Sequence, residues 1–199
     1  MFCDCTNLSS VNFLGNITKI KDNAFQFCLK EVGRYAFQNC ACLHSFDFLI
    51  CAKFIDLYAF SQCENLKSFT IPENLTRISR DLFNNCHNLQ KVVFLGNITE
   101  IGSSAFYRCY NLQSIQLPDS LVTLDSGTFK DCRSLSSIII PRKVSILPYS
   151  LFEGCINLTN VTILGNITKI EERERGRWYF WAGDKPNSCR MATVNLNLG

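Results

Sequence analysis

The sequence predicts an α/β repeat solenoid, in which short strands and short helical turns alternate along a stack of 23-residue units. Two observations carry that expectation. Eight of the twelve cysteines form a ladder: Cys5 and Cys28 lie 23 residues apart, and Cys40, Cys63, Cys86, Cys109, Cys132 and Cys155 follow one another at the same step. Around the rungs one apolar pattern recurs. Leu66, Phe69, Ile71, Leu75, Ile78, Leu82 and Phe83 of one unit are answered by Leu89, Val92, Phe94, Ile98, Ile101, Ala105 and Phe106 of the next.

Each part of the unit has a physical reading. Leu66-x-x-Phe69-x-Ile71 ends in period-2 alternation, which suits a short strand with Phe69 and Ile71 inward. A turn follows in one of two versions, with proline (Pro72, Pro118, Pro141) or with Leu-Gly-Asn at 14–16, 95–97 and 164–166. Proline presets φ, and Gly and Asn tolerate left-handed backbone, so both are turn chemistry. Leu75-Thr-Arg-Ile78 reads as a second short extended piece. Phe83 and Cys86 lie three apart, one helical turn, so the last eight residues of the unit are expected to form a short helix. No such unit buries its own apolar side. Stacking the units gives them a shared core in which the ladder cysteine is a small buried apolar residue.

The pattern fails in two places. Cys28 to Cys40 spans only 12 residues, and Leu29–Cys40 matches the second half of a unit alone, which predicts a local fault between 28 and 40. The unit that follows is degenerate, with Leu49-Ile-Cys51 where a turn motif is expected. After Ile170 the repeat calls for a cysteine at the place held by Trp178. The chain is therefore divided into a solenoid over 1–170, with its short unit at 29–40, and a non-repeat segment over 171–199. That segment is either a terminal cap, since end repeats need altered faces, or unrelated sequence joined to a truncated array.

Composition narrows the function. The chain of 199 residues is 47% hydrophobic, too apolar for disorder, and its net charge of +3 makes no basic stripe, so no nucleic-acid partner is expected. No run approaches the ~18–20 unbroken apolar residues of a membrane span. Met1-Phe2-Cys3-Asp4-Cys5 has neither the charged nor the apolar region of a secretory signal.

The unit Ile101-Gly-x-x-Ala105-Phe106-x-x-Cys109-x-x-Leu112-x-x-Ile115-x-Leu117-Pro118 resembles the BspA-like subclass of leucine-rich repeats, and the likeness runs from residue 5 to about 170. The resemblance implies a curved leucine-rich-repeat solenoid whose short strands form a parallel sheet on one face. It also implies the role common in that subclass, a surface antigen that binds host proteins or extracellular matrix. Cell-surface location is implied with it. The absent signal and anchor depart from that pattern and leave an intracellular, cytoplasmic scaffold as the alternative.

No arrangement for catalysis stands out. The close cysteine pairs, Cys3-x-Cys5 and Cys40-x-Cys42, lack a second pair at zinc-site spacing. Disulfides between adjacent rungs stay open, because neighbouring coils bring Cα atoms within the ~4.4–6.8 Å the bond requires. His44 and His87 fall in non-adjacent units at different repeat positions and read as surface residues. Nucleophile-elbow, phosphate-loop and dinucleotide motifs are missing. No enzyme activity, cofactor or metal is therefore expected. Asn-x-Ser/Thr sequons stand at Asn7, Asn16, Asn74, Asn97, Asn157 and Asn166; four share one turn position, where Asn suits the turn and Thr the following strand.

The outward residues of the first strand are the candidate binding surface. They comprise Asp47, Ser68, Thr70, Lys91, Val93, Ser114, Gln116, Ser137, Ile139, Asn160 and Thr162, preceded by Ser10, Asn12 and Ser45 in the earlier units. This mixed, weakly charged set suits a protein partner better than a polyanion, which would want rows of Lys and Arg. A monomer that contacts a protein through its concave strand face is the expectation. Trp178-Tyr-Phe-Trp181 is a second candidate, as a binding anchor or as the cover of the last coil.

Overall fold

A computed structural model describes residues 31–40 and 52–171 in full, and 10–11 and 193–196 through their backbone. In chain order the strands are β1 (Ser10–Val11), β2 (Glu31–Val32), β3 (Phe54–Ile55), β4 (Ser68–Ile71), β5 (Arg77–Ile78), β6 (Lys91–Phe94) and β7 (Glu100–Ile101). They continue as β8 (Thr123–Leu124), β9 (Ser137–Ile140), β10 (Ile146–Leu147), β11 (Asn160–Ile163), β12 (Lys169–Ile170) and β13 (Thr193–Leu196). All the pairings are parallel, and those between consecutive units join residues 23 apart, as in Ser68 with Lys91 and Arg77 with Glu100. The parallel-strand solenoid is therefore present. It carries two columns of short strands, one after the ladder cysteine and one after the turn.

The core is a set of residue columns. Phe37, Phe60, Phe83, Phe106, Phe129 and Phe152 are fully buried and stack ring on ring, with centroids 5.3, 5.8, 5.4, 5.5 and 5.9 Å apart. Interplanar angles of 13° or less keep the phenyl planes nearly parallel through the stack. Burying each ring is worth about 1.5–3 kcal/mol, and the stacking repeats that gain coil after coil. Beside it runs the cysteine column. Its thiols do more than fill space: Cys63, Cys86, Cys109, Cys132 and Cys155 each donate to the carbonyl of the Phe 26 residues earlier, at 3.1, 3.1, 3.4, 3.2 and 3.0 Å.

The short helix expected over the end of each unit does not form; among the described residues there is no helix. The backbone enters the left-handed region at Asp81 (φ 54°) and again at Asn85 (φ 61°), and the same pair recurs as Ser104/Arg108, Gly127/Asp131 and Ser150/Gly154. A left-handed residue at every fourth position breaks a right-handed helix. The hydrogen bonds show what replaces it. Leu82, Asn84 and Cys86 donate three residues back, to Ser79, Asp81 and Phe83, at 3.3, 3.2 and 3.1 Å. Asp81, Phe83 and Asn85 instead donate to Ser103, Ala105 and Tyr107 of the next coil, at 3.0, 2.8 and 2.8 Å. Half of the donors serve the stack, so the three-residue spacing of Phe83 and Cys86 comes from a turn ladder.

Of the segment expected to carry a fault, residues 31–40 are described. Toward the C-terminus it is regular: Phe37 stacks on Phe60, Cys63 bonds Phe37, and β2 pairs with β3 at the 23-residue step. Toward the N-terminus Glu31 faces Ser10, where that step would have placed Leu8. A segment from the first-strand position thus lies against the second-strand column.

Candidate protein-binding face

The outward residues of the first-strand column occupy the face that the alternation predicts. Ser68, Thr70, Lys91, Ser114, Gln116, Ser137, Ile139 and Asn160 are exposed, and Val93 and Thr162 are half-buried. Asp47, Ser45 and Asn12 lie outside the described residues, and of Ser10 only the backbone is described. Ile139, at 56% exposure, is the largest apolar side chain fully presented on the face.

The face is not one continuous sheet. β4 pairs with β6, and β9 with β11, but residues 114–117 between them are not a strand. No backbone hydrogen bond ties those four residues to either neighbour among the described residues. The turn chemistry explains the gap. Leu95 N–H donates to Ile71 O at 3.1 Å, and Leu164 N–H to Ile140 O at 3.0 Å, closing the ends of the two paired sheets. At the corresponding positions of the two intervening junctions stand Pro118 and Pro141, which have no N–H to give to Phe94 and Leu117. From β6 to β11, a segment of this column pairs with its predecessor only where its own turn is of the Leu-Gly-Asn type. Residues 114–117 end in a proline turn of their own at Pro118, and the strand of the next coil ends in another at Pro141, so they pair on neither side.

The glycines complete that picture and correct its sequence reading. Gly96 and Gly165 do not have left-handed backbone. A Cβ on either would lie 2.2 Å from the carbonyl oxygen of Glu73 or Arg142, the residue after the proline of the preceding coil. Their requirement is close approach of one turn to the next.

A recess of 410 Å³ opens on the face at the seam between β6 and residues 114–119. Four of the expected face residues, Lys91, Val93, Ser114 and Gln116, line it together with Phe94 and Asp119. The last two were missed from the sequence because Phe94 follows the inward alternation and Asp119 belongs to the turn. The order of turn types along the chain was the signal that could have located the seam.

With the coil geometry in place, comparison with known proteins is direct. The sequence profile of the BspA type leucine rich repeat region matches in six copies, over residues 1–31 and 53–174. The chain belongs to that family. The stretch left unmatched, between those two ranges, contains most of the short unit and the first half of the degenerate unit after it. A leucine-rich repeat protein from Bacteroides ovatus has a similar crystal structure, with a TM-score of 0.64 at 24% identity, covering 83% of this chain and 46% of that one. At that identity the likeness speaks for the fold alone. The leucine-rich repeat protein of T. pallidum is similar with a TM-score of 0.64 at 27% identity, covering 81% of this chain and 72% of that one. This BspA-type chain spans less than half the length of the Bacteroides protein. No curated protein sequence matches it.

The other candidate groups of this leucine-rich-repeat chain find structural employment. Cys63, Cys86, Cys109, Cys132 and Cys155 are buried free thiols. Burial pushes Cys86 and Cys155 up to about 12 and raises Cys63, Cys109 and Cys132 as well, which keeps all five protonated. The thiolate is the form that attacks or ligates, so these thiols are held out of both roles. Among the described residues no group of three or more His, Cys, Asp or Glu side chains converges as a metal site. His87 stacks on Tyr110 at 4.7 Å, and the Arg133 guanidinium lies 4.6 Å from the same ring. His44 and the aromatic run 178–181 lie outside the described residues.

The sequons also have structural uses. Thr99 Oγ1 donates to Thr76 O at 3.2 Å and Thr168 Oγ1 to Ser145 O at 3.1 Å, so the threonines tie each flank to the coil before it. Asn157 Nδ2 donates to Arg133 O at 2.9 Å. Asn74, Asn97 and Asn166 are exposed on one flank, while Asn7 and Asn16 lie outside the described residues. No helix among the described residues is long and apolar enough to cross a membrane.

Proposed function

We propose that this chain is a non-catalytic protein-interaction module of surface-antigen or adhesin type, which contacts its partner through the outward face of the first-strand column. The observation that carries the reading is the convergence at the seam. Four outward side chains chosen by alternation alone, Lys91, Val93, Ser114 and Gln116, line a recess on that face. A stack of regular coils presents such residues at fixed spacing, so many weak contacts add along its length. The family's repeat type suggests protein interaction; the surface role is an extension of the resemblance to host- or matrix-binding antigens.

The test is saturation binding to immobilised extracellular-matrix proteins such as laminin and fibronectin. The expected result is saturable binding that weakens at least tenfold when Thr70→Glu and Gln116→Glu are combined. Unchanged affinity in that variant would remove this face from the interaction. Absence of binding to any matrix protein, with the native full-length protein found inside the cell, would replace the adhesin reading with that of an intracellular scaffold.

A further inference from the structure

We infer that the seam at Ser114–Leu117 is a docking site for an extended peptide, which runs parallel to the strands and carries an acidic residue at its start and a basic residue five positions later. The inference rests on the strand face being the binding face and names what that face takes.

Three features of the seam lead there. In a strand the N–H and C=O groups lie in the plane of the sheet, toward the neighbouring strands. Residues 114–117 make no backbone bond to β6 among the described residues, and residues of both segments line the recess between them. Unpaired groups of this kind are a ready template for an added strand, whose main chain supplies donors and acceptors while flanking pockets select side chains. The coils behind the seam keep normal contact, with Phe106 and Phe129 stacked at 5.5 Å and Cys132 bonded to Phe106. The opening is therefore confined to the face.

The recess volume of 410 Å³ falls within the range of ~300–1,000 Å³ typical of ligand pockets. Its charges lie at opposite ends. Lys91 opens β6 and is in register with Ser114, while Asp119 lies five residues beyond Ser114. Neither enters an ion pair among the described residues. Five residues of extended chain span roughly 17 Å. A peptide in the parallel sense shared by every strand pair here would place an acid beside Lys91 and a base beside Asp119. Val93 and Phe94 supply apolar surface between the two charges, and Ser114 and Gln116 supply side-chain hydrogen bonds.

Two probes of identical composition test this: Ac-Glu-Val-Thr-Val-Thr-Lys-amide and its charge-reversed counterpart Ac-Lys-Val-Thr-Val-Thr-Glu-amide. Each is titrated into the isotopically labelled full chain, and the amide resonances of Ser114–Leu117 are followed. The expected result is saturable movement of those amides by the first peptide, at least tenfold tighter than by the second. Exchanging the charges with Lys91→Glu and Asp119→Lys should invert that preference. Both sites are exposed, so folding should persist; Lys91→Gln alone, which should narrow the preference, serves as a milder check. Equal binding of the two peptides, no movement of the seam amides at millimolar peptide, or a preference untouched by the exchange would each overturn the inference. Matrix binding lost in the Thr70 and Gln116 variant alongside peptides that fail to discriminate would leave the face and remove this site. Discriminating peptides with no matrix binding would do the reverse.

Discussion

Gly96 packs its α-carbon against the backbone of Glu73 in the preceding coil, so closely that an added Cβ would sit 2.2 Å from the Glu73 carbonyl oxygen and 2.9 Å from its Cα. Gly165 and Arg142 repeat the relationship three coils later, at 2.2 and 3.0 Å. The atoms in the way are main chain, which a rotamer change cannot move.

Gly96→Ala should consequently destabilise the chain by at least ~2 kcal/mol, the scale of an overpacked, strained contact. Gly127→Ala is the informative comparison. Gly127 has a φ of +61°, but an added Cβ there meets only ordinary contacts, the nearest at 3.6 Å. Its loss should be about 1–2 kcal/mol and purely conformational. Urea midpoints of the two variants check the order, and equal losses would contradict the steric account of Gly96.

Leu95→Pro should open the sheet at β4–β6 and create a second seam. Leu95 is 54% exposed, so its side chain contributes little, while its N–H closes the pair through Ile71 O at 3.1 Å. Removing the donor from a ladder costs about 1–3 kcal/mol. Hydrogen exchange should quicken at Lys91–Phe94 and remain unchanged at Asn160–Ile163. Unaltered protection at Lys91–Phe94 would mean that turn type does not decide pairing.

The phenyl column and the thiol column should respond differently to truncation. Phe106→Ala removes a ring stacked on both sides, at 5.4 and 5.5 Å, and should cost about 3–5 kcal/mol. Cys109→Ala removes one S–H donor from Phe83 O, which still accepts from Cys86 N–H at 3.1 Å, so the loss should be nearer 1 kcal/mol. Thermal or urea unfolding of the pair gives both values. A Cys109 variant as damaged as the Phe106 one would assign the thiols a larger share of the stack's stability than their single bonds suggest.

Alkaline pH should weaken the fold before it ionises the core. Cys86 and Cys155 are pushed up to about 12 by burial, above the 9.0 of an ordinary thiol. An acid whose folded value is raised lends stability that is fully present below its unfolded value. That stability is lost as pH rises toward the folded value. Urea midpoints should therefore be level below about pH 8 and fall between pH 9 and 12. Replacing Cys86 and Cys155 together by Ala should flatten part of that fall. A midpoint independent of pH across the window would contradict the burial of these thiols.

Much of the architecture was legible because a repeat displays the same physical demand many times. Leu66, Leu89, Leu112, Leu135 and Leu158 are all buried, and the outward set Ser68, Lys91, Ser137 and Asn160 is exposed, as period-2 alternation requires. The local spacing of Phe83 and Cys86 misled, because a separation of three fits a helical turn and a hydrogen-bonded reverse turn equally well. Only the neighbouring coil decides between them, by accepting the N–H groups of Asp81, Phe83 and Asn85.

The candidate binding face divides along the same line. Which side chains point outward follows from alternation within one strand, a property of the chain alone. Where the face opens depends on a donor in one coil meeting an acceptor in the next. By itself the sequence determined the unit, its core columns and its outward residues, because each rests on contacts that recur at a fixed step. The seam at Ser114–Leu117, the close approach of Gly96 to Glu73 and the loss of the helix belong to the tertiary structure. Each depends on what lies 22 to 24 residues away along the chain and one coil away in space.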